Sequence, residues 1–433
     1  MRTMAAVLVL AAGSRACLAQ DLFGVTVTDT GGGNVPTLSV RGSSLPDLLE
    51  ELVDTSGQFS AFNGTSLSAS VLYAGVTDAM TVTVNNTGSV ATLQFTVLGS
   101  GSQVFTFDEA NGNLEEQVTD FLLKEAPSVL KDFFREINRR SLVSVTDGNP
   151  MASTARATRY TFDRFVMRQR GEGAASPGMP QPTEGEGPSS GLVIIPGEDG
   201  DDAKGEGRLI LRLDASAGVI STDLGDGETM SISTSLEFAF NRRVSLVVAI
   251  PVSFHNIEGS FVGNVGFHAD VPLTILHPDE ASGFYWVVTP GVLSHAAGSY
   301  DMASGGLLYG FGGSTQVGWS GDGWRISGGA AFTALDSATV RYGDYEYNAG
   351  VDQNVVKLGA KVARELGENW FVYGGATYTE LLEDAAIEDW ITPSLGVGFS
   401  SDSRRVDFTV GWEGDFGDGY DVHQGVLGVR WRI

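Results

Sequence analysis

Histidines are the residues of this sequence with the most obvious chemistry, and all five lie in its C-terminal half: His255, His268, His277, His295 and His423. An imidazole could activate a serine hydroxyl for hydrolysis. Ser294 and His295 are adjacent, however, so they would point to opposite faces of a strand, and the sequence contains no Gly-x-Ser-x-Gly motif. We therefore expect no enzymatic activity and no catalytic residues.

Acidic residues offer two other kinds of chemistry. Glu383-Asp384 and Glu388-Asp389 could act as acid and base, but they fall in an acidic segment that should be solvated. The runs 198–202 and 415–421 place oxygen ligands at short spacing, yet neither contains the bidentate glutamate of a calcium loop. Weak divalent-cation binding stays open at both runs. We predict no dedicated metal site and no cofactor.

Charge and cysteine content exclude several classes of protein. The net charge of −26 and pI near 4.4 argue against nucleic-acid binding. Residues 1–19 have the charged start, apolar run and small-residue ending of a secretory signal peptide. Cleavage after Ala19 would remove Cys17, the single cysteine, and with it any disulfide or thiolate metal site. The absence of a later apolar run of about 18 residues excludes a helical membrane anchor and leaves strands open.

Two segments separate the signal peptide from the C-terminal half. Residues 20–165 combine short β-type stretches with helical patterns, including a helix capped by Ser44 and a longer one that Pro127 should split. This pattern predicts a small α+β domain. Residues 166–207 are rich in Gly, Pro and Glu, so they cannot bury enough apolar area to order themselves. They are interpreted as a disordered linker.

Residues 208–433 alternate apolar and polar residues over long segments, as in 230–240, 244–255, 264–273 and 406–413. Period-two alternation gives each strand one apolar and one polar face. The segments run to about ten residues, the length of a membrane-spanning strand. Tight connections, such as 241–243 and 401–403, alternate with longer ones at 296–304, 336–347, 381–389 and 414–423. The pattern predicts an all-β transmembrane antiparallel barrel of about twelve strands, with tight turns in the periplasm and longer loops outside.

The tryptophans lie near segment ends, as in interfacial girdles: Trp286, Trp319, Trp324, Trp370, Trp390, Trp412 and Trp431. The final residues, with Gly428, Trp431 and Ile433 at their characteristic spacing, resemble the C-terminal strand signal of bacterial outer-membrane β-barrel proteins. That resemblance implies recognition by the barrel-assembly machinery. The hairpin 236–251 resembles one found in outer-membrane transporters of aromatic-degradation pathways, and this resemblance implies small-molecule uptake.

Charged residues on the polar faces are the candidate lumen-lining residues, interspersed with Gly and Ser: Arg208, Arg212, Asp214, Glu237, His268, Asp270, Arg325, Lys357, Lys361, Asp407, Glu413, Arg430 and Arg432. Charged groups inside a barrel need water or partners. If the first strand pairs with the last, the arginines of 208–212 lie beside those of 430–432, a repulsion that Asp407 can partly offset.

The hypothesis is a narrow passive outer-membrane channel or transporter for a small polar or aromatic solute, with the N-terminal domain in the periplasm. Two alternatives stay open. One is a structural or adhesive barrel whose lumen is closed by salt bridges. The other is an autotransporter-type translocator that displays the N-terminal domain. The expected partners are outer-membrane lipid, the barrel-assembly machinery and a small solute, with no nucleic acid.

Overall fold

The computed structural model describes residues 21–142 and 208–433, apart from gaps at 33–34, 102, 123–125, 224, 241–242, 258–259, 277–282, 302–303, 343–344, 368 and 402–405. The predicted signal peptide, the predicted linker and residues 143–165 lie outside the described residues. No helix among the described residues is both long and apolar enough to span a membrane.

The N-terminal domain is one antiparallel sheet with three helices against it. Its strands are β1 (Phe23–Asp29), β2 (Leu38–Gly42), β3 (Leu67–Tyr73), β4 (Val76–Val84), β5 (Val90–Gln94) and β6 (Val104–Asp108). They are ordered β2-β1-β3-β4-β5-β6. The helices are α1 (Leu45–Asp54), α2 (Leu114–Asp120) and α3 (Pro127–Arg140). The α+β class predicted for this segment is confirmed.

Local chemistry explains where the helices begin. The Ser44 side chain accepts a hydrogen bond from the Asp47 backbone N–H, which caps α1 as predicted. Pro127 occupies the first turn of α3, where its missing N–H costs nothing, so the helical region is split there. Phe133 on α3 packs 5.2 Å from Phe95 and 5.8 Å from Tyr73, between ring centroids. These aromatic contacts fix the helix to the sheet.

Residues 208–433 form a barrel of twelve antiparallel strands that closes on itself. The strands are β7 (Arg208–Thr222), β8 (Gly225–Ala239), β9 (Ser245–Ile257), β10 (Ser260–Asp270), β12 (Gly283–Ser299), β13 (Ser304–Gly321), β14 (Trp324–Ser337), β17 (Asp352–Leu366), β18 (Trp370–Leu381), β19 (Asp389–Ser400), β20 (Val406–Gly417) and β21 (Tyr420–Arg432). Short strands β11 (Leu273–Leu276), β15 (Val340–Tyr342) and β16 (Tyr345–Tyr347) lie in connections. Pairing of β21 with β7 closes the barrel and leaves no open edge.

The alternation read from the sequence sets the two faces of the barrel wall. On β8, Met230, Ile232 and Leu236 are exposed, whereas Ser231, Ser233 and Ser235 between them are buried. The same period continues on β10, where Val265 and Phe267 are exposed beside buried Asn264 and His268. The outer wall is therefore an apolar belt and the inner wall is polar, which confirms the predicted barrel class.

The barrel has two rims, which we call the terminal end and the loop end. The terminal end holds Arg208 and Ile433, together with the turns after β8, β10, β13, β17 and β19. The loop end is the opposite rim, with six strand connections. The longest of these are 338–351 and 382–388, close to the predicted 336–347 and 381–389. The predicted long loop at 296–304 is wrong, because β12 and β13 stay paired as far as Ser299 and Ser304. The predicted long loop at 414–423 is wrong, because Gly417 pairs with Tyr420 and Gly419, at φ +66°, completes a tight turn.

Tryptophans follow the predicted girdle in part. Trp286, Trp324, Trp370 and Trp431 are exposed near the terminal end. Arg364 lies 4.8 Å from the Trp324 ring, a pairing suited to the membrane interface. Trp390 departs from the prediction, because it is the second residue of β19 and its ring turns inward, where it is buried.

The N-terminal domain contacts the loop end of the barrel. The Asn138 amide donates to the Ala349 carbonyl and the Leu45 N–H donates to the Asp301 carbonyl. Gly350, at φ +73°, brings its loop against α3, where an added Cβ would lie 2.8 Å from the Lys131 carbonyl. Two sequence-based expectations therefore conflict: the domain cannot lie in the periplasm if the loop end faces outward.

Candidate functional site in the barrel lumen

The inner wall of the barrel collects the predicted lumen-lining residues. Six are buried: Glu237, His268, Asp270, Lys357, Asp407 and Arg430. Five are partly buried: Arg212, Asp214, Arg325, Lys361 and Glu413. Arg208 and Arg432 lie on β7 and β21 at the terminal end, and their side chains are outside the described part. Whether these residues line a conducting path stays a prediction.

Ion pairs connect inward charges near the terminal end. Arg212 lies 3.5 Å from Glu237, between guanidinium nitrogen and carboxylate oxygen, and Arg430 lies 3.8 Å from Asp407. Arg325 donates to Glu365 at 3.1 Å. The Ser245 hydroxyl also donates to Glu237, at 2.9 Å. Pairing offsets part of the desolvation cost of these charges inside the wall.

The closing seam brings like charges together, as the sequence predicts. Arg430 on β21 is the register partner of Arg212 on β7. Directly opposed like charges destabilise a strand pair unless they are compensated. Here each arginine has a carboxylate on the strand at its other side, Asp407 for Arg430 and Glu237 for Arg212. The sequence analysis named only Asp407 as a compensating acid, and Glu237 is the second.

Inward aromatic rings narrow the lumen near the terminal end. The Phe371 ring lies over Gly398, and Tyr373 lies over Gly396 and Gly411, so that an added Cβ at these glycines would overlap a ring. Phe371 and Tyr373 stack with centroids 6.2 Å apart. Lys361 holds its ammonium 4.5 Å from the Tyr373 centroid. The glycines make room for rings that lie along the wall.

The middle of the lumen also carries neutral polar side chains. Asn264, Thr289 and Ser314 are at most 6% exposed. Neither amide atom of Asn264, nor the hydroxyl of Thr289 or Ser314, has a hydrogen-bond partner among the described residues. Buried polar groups without a partner cost about 1–3 kcal/mol each. Such a wall is stable when water or a polar solute meets it.

Histidines contribute to this polar wall. His255, His268 and His295 are at most 2% exposed, and the rings of His268 and His295 meet edge to face at 6.5 Å. Ser294 lies on the other face of β12 from His295, as the sequence predicts, because burial alternates along that strand. The described residues contain no group of three or more His, Cys, Asp or Glu side chains that could hold a metal ion.

Sequence reasoning missed two parts of the inner wall. It selected the charged residues and His268 as lumen-lining and left out neutral ones such as Thr289 and Ser314, although they occupy the same alternating positions. It also missed the inward rings of Phe371 and Tyr373. The signal available for the rings was the glycines at 396, 398 and 411, which lie on neighbouring strands where a side chain would otherwise be expected.

No protein-family model and no curated protein matches this chain. Solved structures do resemble it. The translocator domain of autotransporter NalP from Neisseria meningitidis is 12% identical, with a TM-score of 0.36 over 54% of this chain and 90% of that one. An outer membrane channel from Pseudomonas putida F1 is 8% identical, with a TM-score of 0.41 over 55% of this chain and 100% of that one.

The toluene transporter TbuX from Ralstonia pickettii is 10% identical, with a TM-score of 0.32 over 53% of this chain and 89% of that one. This chain has the fold class of an outer-membrane β-barrel. At these identities the similarity concerns the fold alone. What the lumen does must therefore be argued from its own residues.

Proposed function

We propose that this protein is an outer-membrane channel for a small polar solute. The observation that carries the proposal is the buried wall around Asn264, Thr289 and Ser314, whose polar atoms have no partner among the described residues. A lumen closed by its own side chains would pair these polar atoms with one another, as buried polar groups ordinarily are. A polar wall is the arrangement expected where water and solute pass.

The outer-membrane location is supported by the apolar belt. Exposed side chains such as Phe267, Val292, Phe311 and Leu395 encircle the barrel between its two rims. A soluble monomer rarely exposes a contiguous apolar patch larger than a few hundred Å². Lipid is the partner that such a surface fits.

A polar solute fits the lumen better than an aromatic one. The inward rings of Phe371 and Tyr373 are buried against glycine backbone, so their faces are largely occupied. The mid-lumen wall offers amides, hydroxyls and imidazoles, and the Asn264, Thr289 and Ser314 side chains among them have no hydrogen-bond partner among the described residues. No catalytic step is part of the proposal, and assembly by the barrel-assembly machinery stays a prediction.

The test is ion conductance and solute flux through the full chain in lipid bilayers. Asn264→Leu keeps the side-chain volume similar and removes the amide, so it should lower conductance at least twofold. Val265→Leu, one residue along and on the lipid face, is the matched control and should leave conductance unchanged.

A second variant tests whether a lack of conductance arises only because the N-terminal domain blocks the loop end. Gly350→Val should disturb the contact between the loop end and α3, because its Cβ would meet the Lys131 carbonyl. Absence of conductance from both the unmodified chain and Gly350→Val would reject the channel and favour a structural barrel.

A further inference from the structure

Backbone hydrogen bonds join the start of α1 to two loop-end connections. The Leu45 N–H donates to the Asp301 carbonyl at 2.7 Å, and the Ser260 hydroxyl donates to the Ser43 carbonyl at 3.1 Å. The Asp301 carboxylate also accepts from the Phe261 N–H at 2.7 Å. Asp301 thus links the β9–β10 and β12–β13 connections to the domain.

Helix α3 contacts the two following connections. Arg135 donates through Nε to the Gly350 carbonyl at 3.0 Å, and Asn138 donates to the Ala349 carbonyl at 3.2 Å. Asn138 is only 4% exposed. Arg139 lies 3.9 Å from Asp384 in the β18–β19 connection. With the α1 contacts, the domain reaches four consecutive connections of the six at this rim.

Apolar side chains line the inside of the same rim. Inward positions near the loop end are Ile220, Ile257, Leu293, Val355, Leu381 and Val422, and each is at most 7% exposed. They belong to one continuous buried cluster with Phe23, Phe95 and Phe133 of the domain. At the mouth of an open aqueous pore these side chains would face water, which is unfavourable for apolar surface. Their place in one cluster with residues of the domain indicates that the domain covers the mouth.

We propose that the N-terminal domain is an external cap, which lies at the cell surface on the loop end of the barrel and covers that mouth. The domain then lies outside because the loop end, which holds the longest connection of the barrel at 338–351, faces outward in outer-membrane barrels. The cap shares its surface location with the autotransporter alternative, but the domain stays bound to the rim. This inference goes beyond the proposed channel function.

Single cysteines can test the location of the domain on intact cells with a membrane-impermeant maleimide. Val53→Cys lies on α1 at a site that is 71% exposed, and Tyr300→Cys lies on the loop end at a site that is 83% exposed. Asp322→Cys lies in a terminal-end turn. We expect Val53→Cys and Tyr300→Cys to react in intact cells, and Asp322→Cys only after the outer membrane is permeabilised. The unsubstituted chain, whose only cysteine is Cys17, gives the background.

Two cysteine variants in the β18–β19 connection test whether the mouth is covered. Ala385 is 9% exposed in the covered cluster, whereas Leu382, three residues earlier, is 50% exposed. We expect Ala385→Cys to react at least tenfold more slowly than Leu382→Cys on the same cells. Labelling of Val53→Cys only after permeabilisation, or equal rates at residues 382 and 385, would overturn the cap. Neither result depends on conductance, so failure of the cap is distinguishable from failure of the channel.

Discussion

Inward side chains at the terminal end of the barrel include charged residues bonded in pairs, whereas those at the loop end include an apolar set that packs with the N-terminal domain. Arg430 and Asp407 represent the first kind, and Ile220 and Val422 the second. Paired charges are tolerated at a hydrated mouth, whereas apolar side chains at a rim are unfavourable unless another surface buries them. The comparison indicates that the two mouths of one barrel serve different purposes, one facing water and the other a protein partner.

Breaking a terminal-end pair should have the largest effect on stability. Asp407→Asn leaves the buried Arg430 guanidinium without its carboxylate at 3.8 Å. Removing one partner of a buried ion pair costs about 3 kcal/mol or more. We expect the urea midpoint of barrel unfolding in detergent to fall accordingly. Asp421→Asn, an exposed acid on the adjacent strand, should leave the midpoint unchanged, and equal effects would mean that the pair is solvated.

A smaller effect is expected where the loop end meets α3. Gly350→Val adds a Cβ 2.8 Å from the Lys131 carbonyl and 3.1 Å from the Arg135 Cβ. Overpacking of this kind costs roughly 1–3 kcal/mol, so the reactivity of Ala385→Cys should rise about tenfold. Gly367→Val is the matched control. Gly367 has a similar φ of +77° but lies in a terminal-end turn with nothing within 4 Å of an added Cβ.

This pair of variants separates backbone strain from loss of contact. Both substitutions place a β-branched residue at positive φ, which is costly in itself. Only the one at residue 350 meets the domain. If Gly367→Val raised the reactivity of Ala385→Cys as much as Gly350→Val, the effect would come from general destabilisation of the barrel and the covered mouth would lose its support.

Among the charge contacts, loss of the exposed ion pair at the loop end should have the smallest effect on how firmly the domain is held. Arg139 lies 3.9 Å from Asp384, whose side chain is 80% exposed. Exposed pairs of this kind contribute about 0.2–1 kcal/mol and are screened by salt. Arg139→Gln should therefore raise the reactivity of Ala385→Cys by less than about fivefold, and added salt should reduce the difference. A change as large as that from Gly350→Val would show that charge holds the domain in place.

The sequence predicts the barrel well because its signal is periodic and repeated on every strand. Ser231, Ser233 and Ser235 alternate with exposed apolar residues. A soluble sheet alternates in the same way, but its strands are shorter than a membrane-spanning strand. The prediction fails at 414–423, where an acidic Gly-rich run resembles a loop. There the strands continue to Gly417 and Tyr420, and a positive φ at Gly419 lets two residues turn the chain.

The position of the N-terminal domain could not be predicted from the sequence. Three of its hydrogen bonds with the barrel use the carbonyls of Asp301, Ala349 and Gly350, and backbone groups leave no residue-type signal. The apolar inward residues of the rim, such as Val422, continue the strand alternation and look like ordinary wall positions. Their role becomes visible only when residues of both regions are found in one buried cluster.

The smallest expected effect is a pH dependence of the contact between the start of α1 and the barrel rim. Hydrogen bonds involving the Ser43 and Ser44 hydroxyls hold the pKa of Asp47 below its usual value. A lowered pKa in the folded state contributes stability that is present above the unfolded pKa, near 3.9, and is lost as pH falls through the folded value. Because Ser43 and Leu45 both bond to the barrel rim, acid should loosen this contact below about pH 4.

Hydrogen exchange of the α1 amides, corrected for the intrinsic rate at each pH, measures this loosening. In the unmodified chain, protection should fall between pH 5 and pH 3. Asp47→Asn lacks the carboxylate at every pH, so its protection should already be lower at pH 5 and change less on acidification. Asp54→Asn, at the other end of α1 and away from Ser43, should keep the pH response of the unmodified chain. An equal response in all three proteins would place the acid-sensitive group elsewhere and leave the rim contact held by its backbone hydrogen bonds, which do not titrate.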